Sequence, residues 1–333
     1  MFRILPPHAL PTTRADLRFC PAVGEAFAAL AVITPAWSDY EALEQVRSVT
    51  LPEETAPLHP AARTLAGALD HAFEIQRVSG TTALVHSVLT AYRILLEEAI
   101  NGGVSLTPRQ WGTLRLAFSA LCRFAVDGTP PPVAAALTCR VIAPHGHRDS
   151  LGRWIRGHHV FIVLLQWISI ALHVMVSHVA SGEIRRARDA LATACLLMRG
   201  SAMALRFTGD FPSGDYEQRI RPTLLPPAAP PKMTGLHWAD HRYLARSLTT
   251  ASPVLADPPH QMLAWRNAFH RALQDTYESH KFVCAEFLGP SGSTPVSSAS
   301  GSTPIGMLNR LKIHRTQLAV NPTRAPRDTA LPE

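Results

Sequence analysis

The chain has 333 residues, 47% apolar and only 17% charged, with Lys+Arg 32 against Asp+Glu 25 for a formal charge of +7. That much apolar material builds a sizeable core and excludes global disorder, and the glycines show no G-X-Y period, which excludes collagen. Cys20, Cys122, Cys139, Cys195 and Cys284 are odd in number, scattered and without a CxxC pair, so neither a disulfide framework nor a zinc ribbon is expected.

The opening residues MFRILPPHALPTTRADLRF contain no apolar stretch of signal-peptide length, so the expected location is cytoplasmic. Residues 1–20 read as an N-terminal extension, 21–313 as one large helical domain and 314–333 as a flexible C-terminal tail; the fold class expected is all-α. Apolar residues at spacings of three and four predict helices over 61–77 and 82–100, the second stopping at Asn101-Gly102-Gly103. Thr107 before Pro108 predicts an N-cap with proline in the first turn of a helix over 108–126. Strand patterns are nearly absent, the best being TCRVIAP at 138–144.

A long apolar helix is expected at 150–180 and another at 183–205. Within the first, 160–176 (VFIVLLQWISIALHVMV) is almost long enough to span a membrane, but Gln166 and His173 interrupt it. Polar positions 166, 169, 173 and 177 recur at helical spacing, which favours a buried core helix and no membrane. The prolines crowded into 209–234 prevent a long helix and fix an extended or turning path. Helices resume at 236–251 and 259–288, and the Gly/Ser/Thr-rich 289–304 reads as a linker or a closing loop. The basic residues form no stripe interleaved with aromatics, so no nucleic acid is expected as partner.

The chemistry worth following is carried by His and Cys. In DTYESHKFVCAEF, His280 and Cys284 are four apart and share a helix face. A neutral imidazole there can hold haem iron, and a thiol one turn on can reach a porphyrin vinyl group. With 16 His and 5 Cys the pair also arises by composition, and a structural cysteine beside an ordinary histidine is the plain alternative. His241, in GLHWADHRYL on the preceding predicted helix, offers a second imidazole, or else a surface or capping residue.

Four segments in order resemble the haem-dependent aromatic oxygenase superfamily that includes tryptophan 2,3-dioxygenase: FIVLLQ at 161–166, TGLHWADHR at 234–242, His280, and GSTPIGMLNRL at 301–311. The position of that enzyme's distal histidine is Leu165 here. The spacing H-x38-H-x3-C of His241, His280 and Cys284 is similar to the haem motif of the 3-methyl-L-tyrosine hydroxylases of saframycin-type biosynthesis.

The resemblance implies a tryptophan 2,3-dioxygenase-like helical bundle around a haem. His241 and His280 would be the axial iron ligands, and Cys284 a single thioether link. It implies that Arg242 clamps the substrate carboxylate, a task its fork suits. It also implies that Thr303, or the neighbouring Ser302, contacts the substrate ammonium. Phe161 is expected in the core, with a distal-pocket role as alternative; Arg219 and Arg221 are expected at the surface rather than on haem propionates. The activity implied is peroxide-dependent hydroxylation of 3-methyl-L-tyrosine to 3-hydroxy-5-methyl-L-tyrosine in tetrahydroisoquinoline antibiotic biosynthesis. His241 would vacate the iron and serve as catalytic base, with Arg242 coupling substrate binding to that release. The partners implied are an aromatic amino acid and hydrogen peroxide, and the dioxygenase relatives suggest a homo-oligomer. Alternatives are a related oxygenase acting on L-tyrosine or a tryptophan-like ring, a non-catalytic bis-His haem protein, and a haem-free helical interaction protein.

Overall fold

Thr107 caps helix α5 (Pro108–Asp127) by accepting from the Gln110 amide at 3.3 Å, and the Gln110 side chain accepts the Thr107 amide at 2.9 Å. Pro108 sits in the first turn, and Gly128 ends the helix in the left-handed region at φ 78°. The computed structural model describes residues 1–50, 56–58, 64–131, 139–145, 149–231 and 235–288, with backbone alone at 56, 236, 284–286 and 288. Before α5 come β1 (Phe2–Ile4), α1 (Pro21–Ala31), α2 (Asp39–Ser48), β2 (Ala56–Pro57), α3 (Leu65–Ala72), β3 (Ile75–Ser79) and α4 (Thr82–Gly102). After it come α6 (Ser150–Ala180), α7 (Ile184–Thr208), the one-turn α8 (Ser213–Asp215), α9 (Ala239–Ala256) and α10 (Leu263–Leu288).

The all-α expectation holds, and every helix predicted from 82 to 288 is present within a few residues. Two details differ. The helix expected over 61–77 ends at Ala72; Glu74 turns the chain at φ 53° and residues 75–79 become β3, parallel to β1 and antiparallel to β2. The strand expected at 138–144 is irregular from 139 to 145. It lies across the end of α4, where the Val104 amide donates to Ile142 (2.9 Å) and the His145 amide to Gly102 (3.2 Å). A helix end offers no ladder for a strand to pair with.

Residues 1–20 are sewn into the core. Phe2, Ile4, Leu5, Leu10 and Leu17 are buried, and the Phe2 ring stacks on His159 at 4.4 Å. The Pro-rich stretch is a run of single turns, α8, then Tyr216–Ile220, then Arg221–Leu224 with Pro222 in its first turn.

Helices α6 and α7 form the centre of the bundle. They pack against each other, with α5 and α10 on α7 and α4 and α9 on α6. Gly157 lets them approach near the site, because a Cβ there would meet Thr208 Cα at 2.7 Å. Both are long and apolar enough to cross a membrane, yet 78% and 83% of their apolar windows are buried within the protein. The polar stripe of α6 faces α9: Gln166 donates to Asp240 (2.6 Å), and His173 pairs with Ser247 (3.1 Å). Both partners advance by seven residues, so α6 and α9 run parallel and in register. The stripe is thus an inter-helix seam.

Candidate functional site

The first turn of α9 carries His241 and Arg242, and a buried charge cluster holds that turn in place. Asp240 accepts from Arg77 of β3 at 2.6 Å and from Gln166 of α6 at 2.6 Å. Arg77 also grips Asp70 of α3 (2.7 Å) and donates to the Leu5 carbonyl (3.1 Å). Burial alone would lower the Arg77 pKa, but the Asp240 and Asp70 carboxylates outweigh it and hold the guanidinium charged. Trp238, just before the helix, donates to Asp70 (3.0 Å) and stacks on Phe73 at 4.9 Å. His241 is half-buried on this anchored turn, and Arg242 is exposed, with no carboxylate partner among the described residues.

His280 lies on α10 and lines a cavity of about 80 Å³, open to one side, with Trp154 and His158 of α6, Leu205 and Thr208 of α7, Tyr216, and Val283 and Phe287 of α10. Positions 280, 283 and 287 form one helix stripe. The walls are largely aromatic: Tyr216 stacks on Phe287 at 4.6 Å, and Trp154 lies edge-on to Tyr216 at 5.9 Å and to Phe287 at 6.4 Å. Burial pushes His280 down to about 4 and His158 down to about 3, so both rings are neutral near pH 7.

His158 was not among the residues picked out from sequence. Its ring packs on Phe73 at 4.2 Å and Trp154 at 4.5 Å and lies 5.8 Å from Trp238. It therefore bridges the α10 cavity and the chain just before His241. The only sequence signal was a histidine near the start of a long apolar helix, four residues after a tryptophan.

The structure thus brings His280 into an aromatic cavity and fixes the turn bearing His241 and Arg242 beside Trp238; neither of the latter lines the cavity among its described walls. Cys284 is one turn beyond His280 on α10, with its side chain outside the described residues, as are Ser302 and Thr303 entirely. Phe161 is partly buried against the core and Leu165 is buried in it. Arg219 is exposed, and Arg221 pairs with Glu217 at 2.6 Å. A larger groove, about 770 Å³, opens near Arg14, Phe19, Val126 and His178. His178 is 20 residues from His158 along α6, roughly 30 Å at the helical rise, and none of the expected site residues lines the groove.

The lining of the α10 cavity, rather than its volume of about 80 Å³, suits a flat hydrophobic macrocycle. It presents a neutral imidazole as donor and aromatic walls for a hydrophobic ring. The Trp154 Nε1–H beside it is buried and has no hydrogen-bond partner among the described residues, which leaves a donor for an acceptor group at the ring edge.

Residues 3–268 match the family described as SfmD 3-methyl-L-tyrosine peroxygenase. The chain is 34% identical over 323 residues to a 3-methyl-L-tyrosine peroxygenase of Streptomyces lavendulae, covering 93% of this chain and 88% of that one. It is also similar to a crystal structure of reduced SfmD soaked with sodium hydrosulfite, with TM-score 0.71 and 34% identity over 85% of this chain and 97% of the other.

Proposed function

The chain belongs to the SfmD 3-methyl-L-tyrosine peroxygenase family, and on that premise we propose that it hydroxylates 3-methyl-L-tyrosine with hydrogen peroxide to give 3-hydroxy-5-methyl-L-tyrosine. The reaction exchanges a ring C–H and peroxide for a ring C–OH and water. The observation that carries this reading is 34% identity sustained over 93% of the chain. In this reading the enzyme is soluble and cytoplasmic and serves tetrahydroisoquinoline antibiotic biosynthesis.

A haem supplies the oxygen chemistry when bound, and the chain supplies ligation, orientation and dryness. His280 on α10 and His241 on α9 would hold the iron of that group, and the Cys284 thiol would tether it. His280 suits this role because burial keeps its ring unprotonated. Arg242 binds the substrate carboxylate; its guanidinium is exposed and uncommitted among the described residues. His241 is its immediate neighbour, so carboxylate binding acts on the turn that carries the imidazole, and His241 serves as the base that moves the proton. Ser302 or Thr303 takes the substrate ammonium.

Mass spectrometry of turnover mixtures tests the function. The purified holoprotein with peroxide should add one oxygen to 3-methyl-L-tyrosine faster than to L-tyrosine. Preference for L-tyrosine or a tryptophan would move the assignment to a sister activity, and no product from any phenolic amino acid would overturn it. Acid–acetone extraction tests the link: haem should stay with denatured wild type and be released from Cys284→Ala.

A further inference from the structure

His158 is the best-defined polar group of the cavity. Its Nδ1 lies 2.7 Å from the Trp154 carbonyl, which can only accept, so the proton is on Nδ1 and Nε2 carries a bare lone pair. Packing against Phe73 and Trp154 holds the ring in that orientation. No group among the described residues hydrogen-bonds to Nε2, and the ring borders the cavity it shares with His280.

A neutral imidazole is a stronger acceptor than the wall oxygens. The Thr208 hydroxyl, which donates to the Ala204 carbonyl at 2.7 Å, and the Tyr216 phenol are both weaker bases, and no carboxylate lines the cavity among the described residues. An imidazole that binds a metal through one nitrogen carries an N–H on the other. The acceptor of that N–H fixes the ring's orientation and raises its basicity.

We propose that His158 is a positioning residue whose Nε2 accepts the non-coordinating N–H of His280. A neutral imidazole thereby takes the place that a carboxylate or carbonyl holds in other histidine-ligated sites. The inference rests on the reading of His280 as an iron ligand. Its consequence is electronic: the acceptor makes His280 a stronger donor and stabilises the oxidised iron.

The test is the haem midpoint potential of the holoenzyme, wild type against His158→Phe and His158→Gln. Phenylalanine preserves the ring packing and removes the lone pair; glutamine keeps an acceptor oxygen. The expected result is a positive shift for His158→Phe at unchanged haem content, with His158→Gln nearer to wild type. If His158→Phe does not fold, His158→Leu serves as the acceptor-free variant with the same expectation. Unchanged potentials in haem-replete acceptor-free protein would overturn the proposal. So would an unchanged potential with a raised KM for the amino acid, which would place the lone pair on substrate instead. The ligand reading fails separately: His280→Ala with full haem and a wild-type spectrum would refute it without any His158 variant.

Discussion

Two groups of polar side chains pack around α6, and they are built on opposite principles. Around Gln166, the Arg77–Asp240–Asp70 cluster closes on itself: each carboxylate meets the guanidinium, Gln166 and Trp238 supply further donors, and Arg77 also reaches the Leu5 carbonyl. Around His158 the polar groups are left open. Neutral rings border a void, one with an unused lone pair, beside an indole N–H without a partner among the described residues. Buried polar groups that satisfy one another hold a structure together, whereas buried groups left open await a ligand. Trp238 touches both groups, so the closed one positions what flanks the open one.

Breaking the closed cluster should have the largest effect on stability. Asp240→Ala strips Arg77 of a buried partner and should cost about 3–5 kcal/mol in urea unfolding. A loss below about 1 kcal/mol would mean the cluster is not the anchor of α9. Gln166→Leu keeps the ion pair but removes the donor to Asp240 and Leu5, and should cost about 1–3 kcal/mol.

The two regions should also differ in acid. His159, one residue beyond His158, donates its Nε2–H to the Phe73 carbonyl at 2.7 Å, and burial lowers its pKa from 6.5 to about 4. The unfolded chain therefore binds more protons than the folded one between those values. Stability contributed by neutral His159 is present above about pH 6.5 and lost as pH falls toward 4. His159→Phe should flatten the fall in urea stability across that window, and an unchanged slope would remove His159 as a cause. The smallest stability effect belongs to Arg242→Ala, within about 0.5 kcal/mol of wild type because the side chain is exposed. Its effect should appear instead as a raised KM for the amino acid, and an unchanged KM would end its role as the carboxylate clamp.

Much of this was legible in the sequence wherever a signal was local. Thr107-Pro108 marks the start of α5, and the polar stripe of α6 marked a buried core helix, although not that the stripe faces α9. The sheet was hidden because its strands have three, two and five residues and because Glu74, a residue type that rarely adopts positive φ, breaks the helical spacing of 61–77. For the site, the spacing of His241, His280 and Cys284 showed which residues to place on successive helices. It could not show His158, whose meaning comes from a ring on α10 and a carbonyl in its own helix, a juxtaposition that exists only once α6, α7 and α10 are packed.

The most direct test of the contrast is haem content measured beside unfolding stability in His280→Ala, expressed with haem supplied. The variant should lose its Soret band yet, as apoprotein, unfold in urea like wild-type apoprotein. Full haem with a wild-type spectrum, or a large loss of apoprotein stability, would contradict it.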